Sequence, residues 1–242
     1  MIGGNGKVGG RSVVFFVFVG GLLLLAAVGA RAWTLVDEFP AGKGGSPDDG
    51  SWSPAVSADG RYVAFHSSAA NLVDNDANNC GDVFLLDRQT GETTLVSKSS
   101  AGVQGDAISW NPSISSGGRY IAFQSSAKNL VTDDANGVDD IFVHDRPRGA
   151  TVRASMAANG REANGPSSSP SISADGLMVS FHSEASNLVR RDANGQTDVF
   201  VRDLNMGVVE RMPLEGNKIS VQAATLPSAP TPPTSSPRTR TA

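Results

Sequence analysis

The sequence predicts an all-β fold built of β-propeller blades, as three complete four-stranded antiparallel repeats. Three observations predict it: the chain repeats every 58 residues, each unit holds four strand-like segments, and no amphipathic helix pattern follows residue 32. One four-stranded sheet cannot bury both of its faces alone, so tandem sheets have to stack on their neighbours. A β-solenoid is the alternative architecture, but its coils are shorter and do not suit a four-stranded meander.

The 58-residue period runs without a gap through units 44–101, 102–159 and 160–217. Proline, phenylalanine, aspartate and glycine positions all keep this spacing. The matching sets are Pro54, Pro112 and Pro170; Phe65, Phe123 and Phe181; Asp87, Asp145 and Asp203; and Gly91, Gly149 and Gly207. Agreement at so many positions indicates that the units arose by duplication.

Each unit divides into four short strands separated by turn residues. The predicted strands of the first unit are 54–57, 61–66, 82–87 and 93–97. The second of them alternates, so Tyr62, Ala64 and His66 share one face. Val63 and Phe65 lie on the other face. Both faces carry apolar side chains, as expected for a sheet that is covered on both sides.

Composition disfavours several classes of function. The chain has 20 Lys and Arg against 24 Asp and Glu, a net charge of -4, which disfavours nucleic-acid binding. A single cysteine, Cys80, excludes an intramolecular disulfide and leaves a free thiol, an interchain pair or an incidental substitution. Three histidines do not make a His-rich metal centre. We expect His66 and His182 to pack at strand ends and His144 to be exposed.

Residues 1–32 have the three parts of a secretory signal peptide. Lys7 and Arg11 precede an apolar run at 13–28, and Ala30-Arg31-Ala32 is a cleavage site that predicts a mature start at Trp33. An uncleaved membrane anchor is the alternative, but the run is short of the roughly 20 apolar residues of a spanning helix. The sequence therefore predicts export to the periplasm or the extracellular space, with no membrane attachment after cleavage.

An acidic motif, Asp-Ala-Asn-x-x-x-Asp, recurs between the second and third strands of every unit. Oxygen ligands at alternate positions of a tight loop suit Ca²⁺, so calcium loops are one prediction, although the spacing is not that of an EF-hand. The candidate ligands are Asp76, Asn78, Asp82, Asp134, Asn136, Asp140, Asp192, Asn194 and Asp198. The alternative is structural, because Asp and Asn side chains accept hydrogen bonds from nearby backbone amides. Arg190 and Arg191 beside the third motif disfavour a cation there.

Two segments carry a resemblance to a known family. Ser-Ala-Asp-Gly-Arg-Tyr-Val-Ala-Phe at 57–65 and Asp-Val-Phe-Val-Arg-Asp at 198–203 resemble the TolB-type, WD-repeat-like propeller motif. The resemblance covers 44–217 and implies the blade type. It implies function less closely, because such blades occur in the periplasmic TolB propeller, ahead of serine peptidase domains and in many exported bacterial proteins. The unit here is longer than the usual blade, and no TolB-like N-terminal domain is recognisable.

Three blades are fewer than the four to eight of typical propellers. Residues 33–36 resemble the fourth strand of a preceding blade, and 219–242 has the Pro-rich composition of a disordered tail. Three explanations stay open: a gene truncated by a frameshift, several chains completing one ring, or an open three-blade stack.

Neither a Gly-x-Ser-x-Gly elbow nor a phosphate-binding glycine loop occurs, so the sequence predicts no catalytic set and no cofactor beyond calcium. We expect a non-enzymatic exported module that binds a protein or a cell-envelope component. The alternatives are the propeller part of an exported hydrolase or peptidase whose catalytic domain lies elsewhere, and a calcium- or glycan-binding propeller.

Overall fold

The computed structural model describes residues 48–212, together with the backbone of β1 (Gly3–Val8) and β2 (Arg11–Phe16). These two strands pair antiparallel as a two-stranded sheet. The predicted cleavage site, the strand-like segment 33–36 and the tail 219–242 lie outside the described residues. The signal peptide and the disordered tail therefore stay predictions.

The repeats form three four-stranded antiparallel sheets, each a meander in chain order, which confirms the predicted fold class. Blade 1 contains β3 (Ser51–Val56), β4 (Tyr62–Ser67), β5 (Asp82–Asp87) and β6 (Glu92–Leu95). Blade 2 contains β7 (Ser109–Ile114), β8 (Tyr120–Ser125), β9 (Asp140–Asp145) and β10 (Ala150–Arg153). Blade 3 contains β11 (Ser167–Ile172), β12 (Met178–Ser183), β13 (Asp198–Asp203) and β14 (Val209–Arg211). Within the described residues, no helix is long and apolar enough to cross a membrane.

Two strand boundaries in blade 1 differ from the prediction by more than one residue, for a local reason. The first strand begins at Ser51, before Pro54, and its hydroxyl lies 3.0 Å from that of Ser67 on the neighbouring strand. The fourth strand ends at Leu95, because the Ser97 hydroxyl turns inward and bonds the carboxylate of Asp82 at 2.5 Å. Side-chain hydrogen bonds thus set the strand ends, which a hydrophobic pattern does not show.

The sheets stack face on face, and the burial follows the alternation read from the sequence. We call the side of each blade that carries its paired phenylalanines the Phe face, and the other side the opposite face. The opposite face of blade 1 carries side chains that are at most 6% exposed: Tyr62, Ala64, Val83 and Leu85. It packs on the Phe face of blade 2, where Phe123 and Phe142 stack with centroids 5.9 Å apart. The second junction packs Ala122, Ile141 and Val143 on Phe181 and Phe200.

Both junctions share a close contact between an aromatic ring and a glycine. Tyr62 lies against Gly118 of the next blade, where any Cβ would overlap the ring, and Tyr120 lies against Gly176 in the same way. The guanidinium of Arg146 lies 4.3 Å from the Tyr62 ring centroid, a cation–π contact across the junction. The tyrosines therefore pack between blades, a position that the sequence alone did not decide.

An arginine–aspartate pair closes the end of each of the first two blades that carries the tight turns. Arg61 bonds Asp87 at 2.6 Å, and Arg119 bonds Asp145 at 2.8 Å. Asp87 also accepts a hydrogen bond from the Gln89 amide at 2.9 Å, so the same carboxylate caps the turn. The ion pairs themselves were not predicted, because 26 residues separate their partners.

The expectation that His144 is exposed was wrong. The side chain is 4% exposed, and its Nδ1 lies 3.0 Å from the hydroxyl of Thr151. The residue takes the place of the buried Leu86 in blade 1, and the Thr151 hydroxyl beside it donates to the carbonyl of Lys98 on the link from blade 1, so this link lies next to the histidine. Burial, reinforced by the nearby Lys98 charge, lowers the pKa of His144 to about 4.

Replacing Gly118 with alanine tests the blade junction. Gly118 has φ +67 and faces Tyr62, whereas Gly149 has φ +64 and open space where a Cβ would lie. Both substitutions cost about 1 kcal/mol for the left-handed backbone, but Gly118→Ala adds roughly 1–3 kcal/mol from overlap with the ring. Urea unfolding of the two variants measures the difference, and equal losses of stability would refute the packing role.

A second prediction concerns pH. An unfolded His144 titrates near its ordinary pKa of about 6.5, while the folded one stays neutral down to about 4. The unfolded state therefore binds an extra proton between these values, and stability falls as the pH drops through that window. At about pH 5 the loss is about 2 kcal/mol relative to neutral pH. Urea unfolding at both pH values should show a smaller loss for His144→Leu, which copies blade 1; an identical loss contradicts the prediction.

Candidate functional site

Long connections of the three blades lie at one end of the sheets, which we call the loop-bearing end. They are the loops between second and third strands, at 68–81, 126–139 and 184–197, and the links between blades, at 96–108 and 154–166. Every second strand ends here and every third strand begins here, so the meander itself gathers these segments. The acidic motif lies within this end in all three blades.

The asparagine of each motif makes the same two hydrogen bonds in every blade. Its side-chain oxygen accepts the backbone amide two residues on, at 2.9, 3.1 and 3.0 Å in blades 1 to 3. Its amide nitrogen donates to the last aspartate of the motif at 2.8 Å in each case. The asparagines are Asn78, Asn136 and Asn194. The structural alternative of backbone clips is therefore confirmed for this position of the motif.

The last aspartate of the motif is buried where its loop meets the third strand. Asp82 and Asp140 have no exposed surface, and each accepts a hydroxyl hydrogen bond of 2.5 Å from Ser97 or Ser155 on the following link. Burial raises the pKa of the Asp82 carboxyl, and the hydrogen bonds from Ser97 and other neighbours oppose that rise. One carboxylate thus joins the loop, the sheet and the link to the next blade.

In blade 2 an arginine supplies the positive charge for the acidic loop. Arg153, at the end of β10, is 6% exposed and reaches three carboxylates with its Nη1 atom. The distances are 2.7 Å to Glu162, 3.1 Å to Asp140 and 3.5 Å to Asp134. Its other terminal nitrogen donates to the backbone carbonyl of Asp133. We call this arrangement the arginine clamp.

Blade 3 repeats the arginine clamp with Arg211 at the end of β14. Its Nη1 lies 2.8 Å from Asp192 and 3.1 Å from Asp198. The sequence drew attention to Arg190 and Arg191, which are both exposed, instead of to this residue. Arg153 and Arg211 are 58 residues apart, and this recurrence of arginine at one repeat position was the sequence signal that could have indicated the clamp.

Blade 1 holds the carboxylates of its acidic loop without a positively charged side chain. Leu95 stands at the repeat position of the clamp arginines, and the amide nitrogen of Gln104 bridges Asp76 at 2.7 Å and Asp82 at 2.8 Å. Gln104 is the repeat equivalent of Glu162, and both accept a backbone amide of the loop, at 3.1 and 3.2 Å. The amide therefore replaces both the arginine and the glutamate of blade 2.

These contacts bear on the calcium prediction. In each blade the two aspartates of the motif face an arginine guanidinium or a glutamine amide, so those donors hold oxygens that a cation would need. Among residues 48–212, no three His, Cys, Asp or Glu side chains form a group suited to a metal ion. Calcium binding at these loops stays a prediction from the sequence.

A β-bulge marks the first strand of every blade beside the loop-bearing end. Ser53, Asn111 and Ser169 have positive φ values of 52, 50 and 54 although none is glycine, and the register to the second strand shifts there. First strands of successive blades contact one another, so the three bulges lie where the sheets come closest. Non-glycine residues with such backbone are uncommon and often mark functional positions. No pattern in the sequence indicated these bulges.

The residues around the bulges differ between blades. In blade 1 the ring of Trp52, which is 50% exposed, lies 5.1 Å from that of His66. Blade 2 instead has a polar chain, in which Gln124 donates to Asp139 at 3.2 Å. Of the other residues singled out by the sequence, Cys80 is a half-buried free thiol and His182 is exposed.

Exposed apolar side chains also occur on the link between blades 1 and 2. Val103 is 55% exposed and Ile108 is 41% exposed. Ile108 lies beside Gly81, the last loop residue before β5, so the two connections of blade 1 meet at this point. Ser97 and Gln104 of the link donate hydrogen bonds to Asp82 and so attach the link to its own blade. The side chains of Val103 and Ile108 face solvent.

The arginine clamp predicts a specific pair of stability effects. Arg153→Leu leaves three carboxylates without their cation and should cost about 3–5 kcal/mol of unfolding free energy. Adding Glu162→Gln recreates the Leu95 and Gln104 arrangement of blade 1 and should recover much of that loss. Urea unfolding gives the unfolding free energy of both variants. A double variant that is no more stable than the single one would contradict the prediction that a glutamine amide can replace the arginine.

The chain is similar to a number of solved structures. No family model matches it, and no curated protein matches it. Among solved structures it is similar to one assigned as TolB from Agrobacterium tumefaciens, at 20% identity and a TM-score of 0.44, covering 67% of this chain and 48% of that one. It is also similar to the propeller domain of the Trilobed protease from Pyrococcus furiosus, at 18% identity and a TM-score of 0.42, covering 69% and 44%.

A third similar structure is an acylaminoacyl peptidase from Pyrococcus horikoshii, at 16% identity and a TM-score of 0.41, covering 67% of this chain and 24% of that one. The chain spans less than half the length of each of these proteins. The stacked four-stranded sheets of the chain itself, with their repeated junctions, are those of β-propeller blades.

Proposed function

We propose that the chain is an exported, non-enzymatic binding module whose loop-bearing end contacts a protein or another component of the cell envelope. The observation that carries the proposal is the internal clamping of the loops. In all three blades the loop is held to its own blade by protein side chains, so the end is a preformed surface. Loops fixed on a rigid scaffold are a common arrangement for recognition.

The contact surface that we favour is on the link between blades 1 and 2. Val103 and Ile108 expose apolar side chains there, and the exposed carboxylates of Asp74 and Asp106 belong to the same loop and link. An apolar centre with a polar rim is the usual composition of a protein-binding patch. Export rests on the sequence, through the predicted signal peptide.

Two alternatives from the sequence make different demands. A hydrolase or peptidase requires a catalytic domain elsewhere in the gene. Among the described residues, the one histidine with a side-chain hydrogen bond is His144. Its side chain is buried, and its partner is the Thr151 hydroxyl. A glycan-binding propeller would show selective binding on a carbohydrate array.

Capture from a cell-envelope extract tests the proposal. The full chain, immobilised, should retain a specific component, and Ile108→Asp or Val103→Asp should reduce that retention at least tenfold. Met206→Asp is the matched control, because Met206 is 70% exposed in the turn between β13 and β14, at the other end of the sheets. Circular dichroism checks that each variant folds. Equal retention by all variants, or no specific retention by the unmodified chain, would overturn the proposal.

A further inference from the structure

The two blade junctions are alike down to their backbone hydrogen bonds. The Ala58 amide of blade 1 donates to the Ser116 carbonyl of blade 2 at 3.0 Å. The Ser116 amide in turn donates to the Ala174 carbonyl of blade 3 at 2.9 Å. These three residues occupy one repeat position, so each of the two junctions brings this position of one unit against the same position of the next. Within residues 48–212, the Ala174 amide has no such partner.

Blade 3 has a surface that both other blades bury. Its opposite face carries Met178, Val199 and Val201, of which Met178 is 38% exposed and the two valines are half-buried. The equivalent side chains in blade 1 and blade 2 that meet a following blade are nearly all buried: Tyr62, Val83, Leu85, Ile141 and Val143. Leu177 is 42% exposed beside this face. The opposite face of blade 3 therefore lacks the cover that the repeat is built to receive.

The first strand of blade 1 shows the complementary exposure. Pro54 is exposed, whereas its equivalents Pro112 and Pro170 are buried by the preceding blade. Val56 is 59% exposed, whereas its equivalent Ile172 is 9% exposed. The outer part of the same face is already buried, since Phe65 and Phe84 are at most 4% exposed. The inner strand β3 is thus the part of blade 1 that is open to a preceding blade.

We propose that a second copy of this chain covers the opposite face of blade 3 with the inner strand of its own blade 1. A two-fold axis then repeats this contact, from blade 3 of the second copy to the inner strand of blade 1 of the first. Two-fold dimers are the commonest symmetric assemblies.

The occupant follows from the continuity of the two established junctions. Both internal junctions already join this face to a first strand of the same repeat, and a second copy offers that strand with Pro54 and Val56 exposed. Contact would bring the Ala174 amide of one copy to the Ala58 carbonyl of the other. It would also withdraw the apolar surface of Leu177 and Met178 from water, which favours association.

Engineered cysteines test this contact in the full chain, in a Cys80→Ser background. The test variant is Ala58→Cys with Ala174→Cys, both at exposed positions. The matched control is Ala58→Cys with Ser116→Cys, whose backbone hydrogen bond holds the Cα atoms within about 6 Å, in disulfide range. Under mild oxidation the control should close within one chain, and the test variant should give a covalent dimer. A test variant that stays reduced, closes within one chain or forms longer polymers would overturn the proposal.

Light scattering on the unmodified full chain gives an independent readout. We expect twice the mass of one chain, and Met178→Asp should halve that mass while Val152→Asp leaves it unchanged. Circular dichroism shows whether the Met178→Asp variant keeps its sheets; if it does not, Val201→Ser replaces it in the same comparison. A monomeric unmodified chain at micromolar concentration would overturn the dimer.

Discussion

The structure depends on the burial of one sheet face against the next. Each blade has apolar side chains on both sides, so a single blade in water would leave both of its faces exposed. The Phe face of one blade accepts the small Ala and Val side chains of the previous blade, and the Tyr–Gly contacts set how closely the turns approach. His144 lies on the Phe face of blade 2, beside the link from blade 1, and is buried there although its side chain is polar.

The loop-bearing end rests on a second repeated device, the buried aspartate at the start of each third strand. Such a carboxylate is stable in the interior only if donors surround it, and the three blades supply them differently. Blades 2 and 3 use an arginine from the outer strand, and blade 1 uses a glutamine from the link. The result in each case is a loop held by its own blade, which is the property that a preformed binding surface requires.

The sequence carried the prediction of the fold a long way. The 58-residue period, the four strands per unit and the alternation of Tyr62 and Phe65 between two faces all follow from local pattern, and the structure confirms them. In the acidic motif, the asparagine hydrogen bond to the backbone could be predicted as an alternative to calcium binding, because it spans only two residues. The clamp of Arg153 and the bridge of Gln104 could not be predicted, because their partners are 9 to 28 residues away and meet only once the sheet has formed.

The sequence by itself determined the three repeats within 44–217, the order of their strands and the positions of the turns, since strand periodicity and turn chemistry act over a few residues. Tertiary structure alone decided which polar residues are buried, which charges pair and which faces stay open. The charge pairs depend on which strands of one blade adjoin, as for Arg61 and Asp87. The open faces depend on what lies across a junction between sheets, where stacking brings together residues that are about 58 apart in the chain. The openness of Val56 is of this kind, because its repeat equivalent Ile172, which differs little in chemistry, is covered by a neighbouring blade.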